Sequence, residues 1–326
     1  MIISKTPLRV SFFGGGTDLP EFFLKHGGAV IGTAIDKFIY HSVSTFPSKL
    51  FEYSVRISYS KVECVKSTAE IQHMPFREIL REFGFERDIE IHIAADLPSF
   101  SGLGTSSAFT VGLIRALHAF QGRHISREHL TREAIRMERE VLKEVVGFQD
   151  QVFAAHGGLN IINFSRSGMI HVERLAISKA RRDELSESLM LFFTGITRRA
   201  QCVESNKVHN MEHIEAKLLR MLRHVDEAVD ILAGNNALSQ FGSLLDATWR
   251  EKRELDPGVS NETINSMYTK ATAAGALGGK LLGAGGGGFM LFFVPPERRQ
   301  RVRETLKGYH EIPFGIDAPG SAIIHN

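Results

Sequence analysis

Apolar and polar positions alternate in two rhythms along the chain, and the rhythm changes sort it into elements. Period-two alternation predicts strands at Leu8–Phe13, Ala29–Thr33, Phe38–Thr45, Phe51–Ile57, Ile89–Ile93, Leu159–Phe164, Met169–Leu175, Leu189–Thr194 and Phe289–Val294. The short spacing of the early strands predicts an antiparallel meander. Runs at spacings of three and four predict helices over Ile71–Phe83, Phe109–Phe120, a stretch after Ser126 with Leu130, Ala134, Met137, Val141 and Val145 on one face, Ala237–Arg253 and Ser260–Gly275. A long stripe, Val208, Met211, Ile214, Leu218, Met221, Val225 and Val229, reads as core. Pro296–Lys307 is a charged helix, and Gly315–Ile324 is placed as a closing strand. The polar stretch around residues 176–190 marks a junction, so the chain divides into 1–183 and 184–326.

Three glycine-bearing stretches interrupt these rhythms, and each sits where an element begins or ends. In the middle one, Asp96-Leu-Pro-Ser-Phe-Ser-Gly-Leu-Gly-Thr-Ser-Ser-Ala108, a strand enters a loop of small residues that opens a buried helix. Such a loop aims free backbone N–H groups and the positive end of a helix at one point, which makes an anion site. The hydroxyls of Thr105, Ser106 and Ser107 add donors and possible metal ligands; a glycine turn with a serine cap is the plainer account. The first stretch, Phe12-Phe-Gly-Gly-Gly-Thr-Asp18, is either a strand ending in a turn with Asp18 capping the helix Leu19–Lys25, or a backbone pared down to let a ligand approach. The third, Lys280-Leu-Leu-Gly-Ala-Gly-Gly-Gly-Gly-Phe289, runs from helix through glycines to strand. A dinucleotide fingerprint needs the opposite order, so a Rossmann site is excluded.

Composition narrows the class. The chain has 326 residues, enough for two domains, with 43% hydrophobic and 23% charged positions. A formal charge of +2 carries no polyanion signature, so nucleic acid is not an expected partner. Cys64 and Cys202 form neither a disulfide framework nor a metal spacing. Neither a secretory signal nor an apolar run near the roughly 20 residues of a membrane span is visible. A soluble cytoplasmic protein without a membrane partner is expected. Two carboxylates stand out: Glu138 lies beside the apolar face of its helix, and Asp150 follows a glycine bend, Gly147-Phe-Gln-Asp150, at the start of another helix, where a structural cap is the competing role.

The three stretches, in this order and spread over nearly the whole chain, resemble the GHMP-type small-molecule kinases, the group of galactokinase, homoserine kinase, mevalonate kinase and phosphomevalonate kinase. Pro7-Leu-Arg-Val-Ser-Phe-Phe-Gly-Gly-Gly-Thr-Asp18, Pro98-Ser-Phe-Ser-Gly-Leu-Gly-Thr-Ser-Ser-Ala108 and Lys280–Phe289 match its three motifs. Within the family, the opening Ser4–Asp18 and the box Gly147-Phe-Gln-Asp-Gln151 are similar to bacterial D-glycero-D-manno-heptose 7-phosphate kinases. The resemblance implies an α+β GHMP kinase fold, with an N-terminal α/β domain of the ribosomal-protein-S5-domain-2-like type and a C-terminal ferredoxin-like α/β domain. It implies ATP and Mg²⁺, a sugar phosphate acceptor phosphorylated at its anomeric hydroxyl, and is compatible with a homodimer.

By the same resemblance Asp150 is the catalytic carboxylate, and Arg9 beside it holds it as the anion. Pro98, Ser101, Gly102, Leu103, Gly104, Thr105, Ser106 and Ser107 wrap the ATP phosphates, with Ser106 and Glu138 at the magnesium ion. Gly15, Gly16, Thr17, Asp18, Gly285 and Gly286 fall on the acceptor's side. Galactokinases carry Glu-His where this chain has Gly15-Gly16, a change that leaves room for a longer sugar, although a fucose-type hexose tolerates it too. A terminal sugar phosphate would need cations, and Lys5, Arg56, Arg77, Arg198 and Arg199 are the candidates. A regulator that keeps the fold and has lost turnover is the reading of another class.

Overall fold

The computed structural model describes residues 1–99, 101–197, 208, 210–234 and 236–326. Arg198, Arg199 and Cys202 therefore lie outside the described residues. Two sheets organise the chain. The first begins with β1 (Ile2–Phe13), then α1 (Pro20–His26), then β2 (Gly28–Thr45), a single long strand where the sequence pattern suggests two. Leu8 pairs with Ile35 while Pro7 pairs with Phe38, so Asp36 and Lys37 bulge out of the ladder at the point where the alternation breaks. Proline lacks the N–H that a continuous ladder would use, and Pro7 stands at this same irregularity.

The predicted meander is not what forms next. β3 (Val55–Ser58) pairs antiparallel with β4 (Val62–Val65) but parallel with β5 (Ile89–Ala95), reached through α2 (Met74–Glu82). β5 therefore inserts between β2 and β3, a crossover that local alternation cannot encode. α3 (Thr105–Phe120), α4 (Arg127–Arg136, capped by Ser126) and α5 (Gln149–His156) follow, and α3 and α5 pack on β1 and β2. Between α4 and α5 one π-type turn, Met137–Val141, breaks the helix that the apolar stripe predicts to continue. Such π turns are frequent at functional sites. β6 (Leu159–Phe164) pairs with the first half of β2, and β7 (Ile170–Arg174) with β6.

After α6 (Lys179–Ser188) the chain builds a second, four-stranded sheet: β8 (Leu189–Phe193), β9 (Gly278–Leu281), β10 (Phe289–Phe293) and β11 (His310–Glu311), in the order β11-β8-β10-β9. Its helices are α7 (Met211–Ala233), α8 (Ser239–Arg253), α9 (Glu262–Ala274) and α10 (Arg299–Thr305). The closing strand, β12 (Ala322–His325), is antiparallel to β1, so the last residues belong to the first sheet although they lie in the second half of the sequence. The two sheets share their core. Phe12 and Phe13 at the end of β1 meet Phe241 of α8 edge-on, with ring centroids 5.3 and 5.1 Å apart. No helix among the described residues is long and apolar enough to cross a membrane. The architecture is the mixed α/β fold expected from the three motifs.

Candidate active site

A cleft opens where the end of β1, the start of α3, the start of α5 and the third glycine stretch converge. Arg9 is its hinge-pin. Period two on β1 carries Arg9 and Ser11 to the same face, and both line the cleft. The Arg9 guanidinium makes a two-pronged ion pair with Asp150, Nε to Oδ1 at 2.7 Å and Nη2 to Oδ2 at 2.6 Å. Its third nitrogen donates to the Gly102 carbonyl at 2.6 Å, and its backbone N–H to the Leu103 carbonyl at 3.0 Å. One residue thus fixes the position of the carboxylate relative to the middle glycine loop.

That loop is built as an anion cradle. Gly104 in left-handed conformation (φ 72°) is the N-cap of α3, and the first-turn amides of Thr105, Ser106 and Ser107 have no partner within the helix. Ser101, Gly102, Gly104, Thr105, Ser106 and Ser107 all line the cleft. Two residues of the predicted set do not. Leu103 is fully buried in the core and contributes only its carbonyl, to Arg9. Pro98 is exposed and off the cleft wall, at the loop's entrance. The first acts through packing because its large apolar side chain is buried in the core.

On the acceptor's side, Gly15, Gly16 and Asp18 line the cleft, and Thr17 does not. Thr17 is buried, with its hydroxyl 2.8 Å from the carbonyls of both Gly14 and Ala29 and accepting from the Ala29 N–H at 3.2 Å, so it holds the turn on β2. Asp18 does not cap α1, whose cap residue is Leu19. Its carboxylate instead accepts from the backbone N–H of Gly16 (2.9 Å) and of Gln149 (3.2 Å), tying the first motif to the start of α5. The glycine bend allows this: a Cβ on Gly147 would stand 2.0 Å from Asp18 Oδ2.

Glu138 sits one layer behind the wall. It lies in the π turn, is 1% exposed, and its Oε2 accepts from the Ser107 hydroxyl (3.0 Å) and from Gln151 Nε2 (2.5 Å). Burial, with Glu144 nearby, pushes its carboxyl up to about 8. Its other oxygen, Oε1, is buried and has no hydrogen-bond partner. An orphaned carboxylate oxygen of this kind suits a hard cation. Ser106, by contrast, is exposed on the cleft wall. Among the described residues no three His, Cys, Asp or Glu side chains make a metal site by themselves.

The third glycine stretch closes the cleft from the second sheet. Gly285 lines it, whereas Gly286 lies behind, its N–H donating to the Val259 carbonyl at 2.9 Å. Two buried lysines missed by sequence reasoning line the cleft beside it. Lys252 of α8 donates to the carbonyls of Leu281 (2.7 Å) and Gly283 (2.5 Å), and Lys280 of β9 to the Phe12 carbonyl (2.7 Å). Lys252 carried a signal, since it continues the stripe of Leu245 and Thr248 on a predicted helix, a place where a charge needs a reason. Lys280 carried none, because its strand, β9, has no strand pattern in the sequence. Of the cations named for a terminal phosphate, Arg198 and Arg199 lie outside the described residues and the other three are elsewhere: Lys5 lies over the Phe38 ring, Arg56 pairs with Glu90 and Arg77 with Glu78.

The same arrangement has counterparts. Models of the GHMP kinases N terminal domain and of the GHMP kinases C terminal match residues 66–158 and 215–311. The chain is 31% identical to the D-glycero-alpha-D-manno-heptose 7-phosphate kinase of Campylobacter jejuni, over 87% of this chain and 86% of that protein. It is 26% identical to the L-fucokinase/L-fucose-1-P guanylyltransferase of Bacteroides fragilis, over 87% of this chain and 34% of that longer one. Among solved structures, a D-glycero-D-manno-heptose 1-phosphate kinase from Bacteroides thetaiotaomicron superposes with a TM-score of 0.79 at 23% identity, covering 100% of this chain and 99% of that one.

Proposed function

The chain belongs to the GHMP kinases and is a sugar kinase of the heptose kinase type, and from that premise we propose that it transfers the γ-phosphate of ATP to the anomeric C1 hydroxyl of D-glycero-D-manno-heptose 7-phosphate, giving the 1,7-bisphosphate. The observation that carries the reading is the Arg9 clamp, which sets a carboxylate and a phosphate cradle side by side in one cleft.

Phosphoryl transfer through a loose transition state is mainly positioning and charge neutralisation. The α3 amides and the hydroxyls of Thr105 and Ser106 receive the ATP phosphates. Asp150 accepts or orients the proton of the attacking hydroxyl, and an anomeric hydroxyl is acidic enough for a modest base. Arg9 holds Asp150 in place through two hydrogen bonds. Mg²⁺, when bound, neutralises charge on the β- and γ-phosphates. Ser106 and the Glu138 Oε1 atom are the groups that would hold it, with Ser107 between them.

Gly15 leaves room at the acceptor end, which supports a longer sugar than a hexose, whereas a Cβ on Gly16 would lie 3.0 Å from Leu218. The product suits a route to nucleotide-activated heptose for surface polysaccharide. A fucokinase-like hexose 1-kinase is the second reading, favoured by the likeness to a third of the Bacteroides fragilis L-fucokinase/L-fucose-1-P guanylyltransferase. ADP release from purified protein, measured on heptose 7-phosphate (made by isomerase treatment of sedoheptulose 7-phosphate), fucose and mannose, separates the two. Preference for the heptose with a new phosphate at C1 is expected. Preference for an unphosphorylated hexose would overturn the heptose reading.

A further inference from the structure

Two polar atoms in the cleft wall have no use within the protein. Ser11 is 6% exposed, and its Oγ has no hydrogen-bond partner among the described residues. The same holds for Gln149 Oε1, which is also buried. Unpaired buried polar atoms are rare in folded proteins, because each has lost water without gaining a replacement. Both residues line the cleft, and both side chains converge on one place. A Cβ built on Gly15 would lie 3.7 Å from Ser11 Oγ and 3.7 Å from Gln149 Nε2, with nothing else beyond its chain neighbours within 4 Å. Gly15 therefore leaves a hole the size of a small polar group, walled by a hydroxyl and a carboxamide.

The chemistry of the hole selects its occupant. A serine hydroxyl both donates and accepts, and a carboxamide offers an acceptor oxygen and two N–H donors. Neither carries charge; the Asp18 carboxylate binds the Gly16 and Gln149 amides, and Arg9, on the Ser11 face of β1, is paired with Asp150. Two neutral groups that offer both donors and acceptors suit a neutral hydroxyl better than a phosphate. We propose that Ser11 and Gln149 form a hydroxyl-binding subsite over Gly15 that holds one hydroxyl of the acceptor sugar. It rests on the reading of the cleft as a sugar kinase site and extends it to residues that hold the carbon skeleton and not the phosphate.

The test uses the full chain with the sugar that the panel above shows it prefers, and determines KM for sugar and for ATP separately in the parent, Ser11→Ala, Gln149→Leu and Gly15→Ala. Losing one hydrogen bond to a neutral hydroxyl should raise the sugar KM about tenfold, with ATP KM and kcat within about twofold. Gly15→Ala places a methyl group in the hole at ordinary contact distance, so the fold survives while the sugar KM rises by a similar factor. Thermal melting of each variant separates lost binding from lost fold. Sugar KM unchanged in all three, or rising in step with ATP KM, would overturn the subsite. If the panel selects a hexose, the heptose reading falls and the subsite is judged by the same KM ratios on that hexose.

Discussion

Two glycine-rich loops meet at the floor of the cleft, and they use glycine for different purposes. The middle loop, residues 101–107, faces the cleft: Ser101, Gly102, Gly104, Thr105, Ser106 and Ser107 line it beside Asp150. The third, residues 282–288, also lines the cleft, but several of its glycines are there because its backbone crosses the middle one closely. A Cβ on Gly102 would stand 2.4 Å from the Leu282 carbonyl oxygen, one on Gly283 2.5 Å from the Gly102 Cα, and one on Gly288 2.2 Å from the Ser101 carbonyl oxygen. The Phe289 N–H donates to that same Ser101 carbonyl at 3.2 Å. The middle loop leads its small residues into a helix start on the cleft wall, whereas the third is held by the backbone it crosses. A run of glycines is thus no more a phosphate site than a tightly packed crossing, and the hydroxyls and helix start that follow it decide which.

The contrast breaks most sharply at the carboxylate beside the middle loop. Asp150→Asn should lower kcat by about 10²–10⁴-fold as its dominant effect, and should lower the melting temperature as well, since it removes both a general base and the counter-charge of the buried Arg9; steady-state rates beside a thermal melt would show both, and turnover equal to the parent's would remove Asp150 from catalysis. Gly283→Ala should reverse that order. With φ of 73° and a backbone clash, it should cost about 1–3 kcal/mol of stability, read as a lower denaturant midpoint, and raise the ATP KM only through displacement of Gly102.

Lys252→Met probes the supporting loop from beneath. It leaves the Leu281 and Gly283 carbonyls without their buried donor, a loss of about 1–3 kcal/mol, measured in the same unfolding experiment. The middle loop has a titratable support instead. The Glu138 carboxyl is raised from 4.5 to about 8, so the protein gains stability from its neutral form at low pH and loses it as pH climbs through this window. In metal-free protein, Glu138→Gln should flatten the decline of melting temperature between pH 4.5 and 8; an unchanged pH profile would show that the buried carboxyl is ionised throughout. Gly308→Ala, outside both loops with nothing within 4 Å of its Cβ, should stay within about 0.5 kcal/mol of the parent.

How far the sequence could be followed differs between these regions for a physical reason. β6 falls on the predicted Leu159–Phe164, because its alternation is local and its neighbours are turns. The middle loop was legible as an anion site, because strand, glycines, hydroxyls and helix follow one another within a few residues. β9 was not. Gly278-Gly-Lys-Leu281 has none of the β-branched character of a strand and becomes one by pairing with Phe293 through Met290 of β10. The meander failed for the same reason, since β5 comes from far along the chain to sit between β2 and β3. Asp18 was visible as a polar group beside glycines, but its tie to the Gln149 amide spans 131 residues. Ser11 and Gln149 matter only through each other and through the side chain that Gly15 lacks.

The return of the last strand sets the order in which this protein can be made. Residues near the C-terminus are stitched to elements synthesised long before: Ser4 pairs with Ile323, Thr6 shares a hydrogen bond with Ser321 at 2.8 Å, and the Ser321 N–H donates to the Ala154 carbonyl at 2.9 Å. A nascent chain leaving the ribosome cannot finish its first sheet early. β1 keeps a bare edge while everything between is translated, and a bare edge invites pairing with another chain. β1 also carries Arg9, so the strand that orients the Asp150 carboxylate gains its outer neighbour only after translation has passed residue 325.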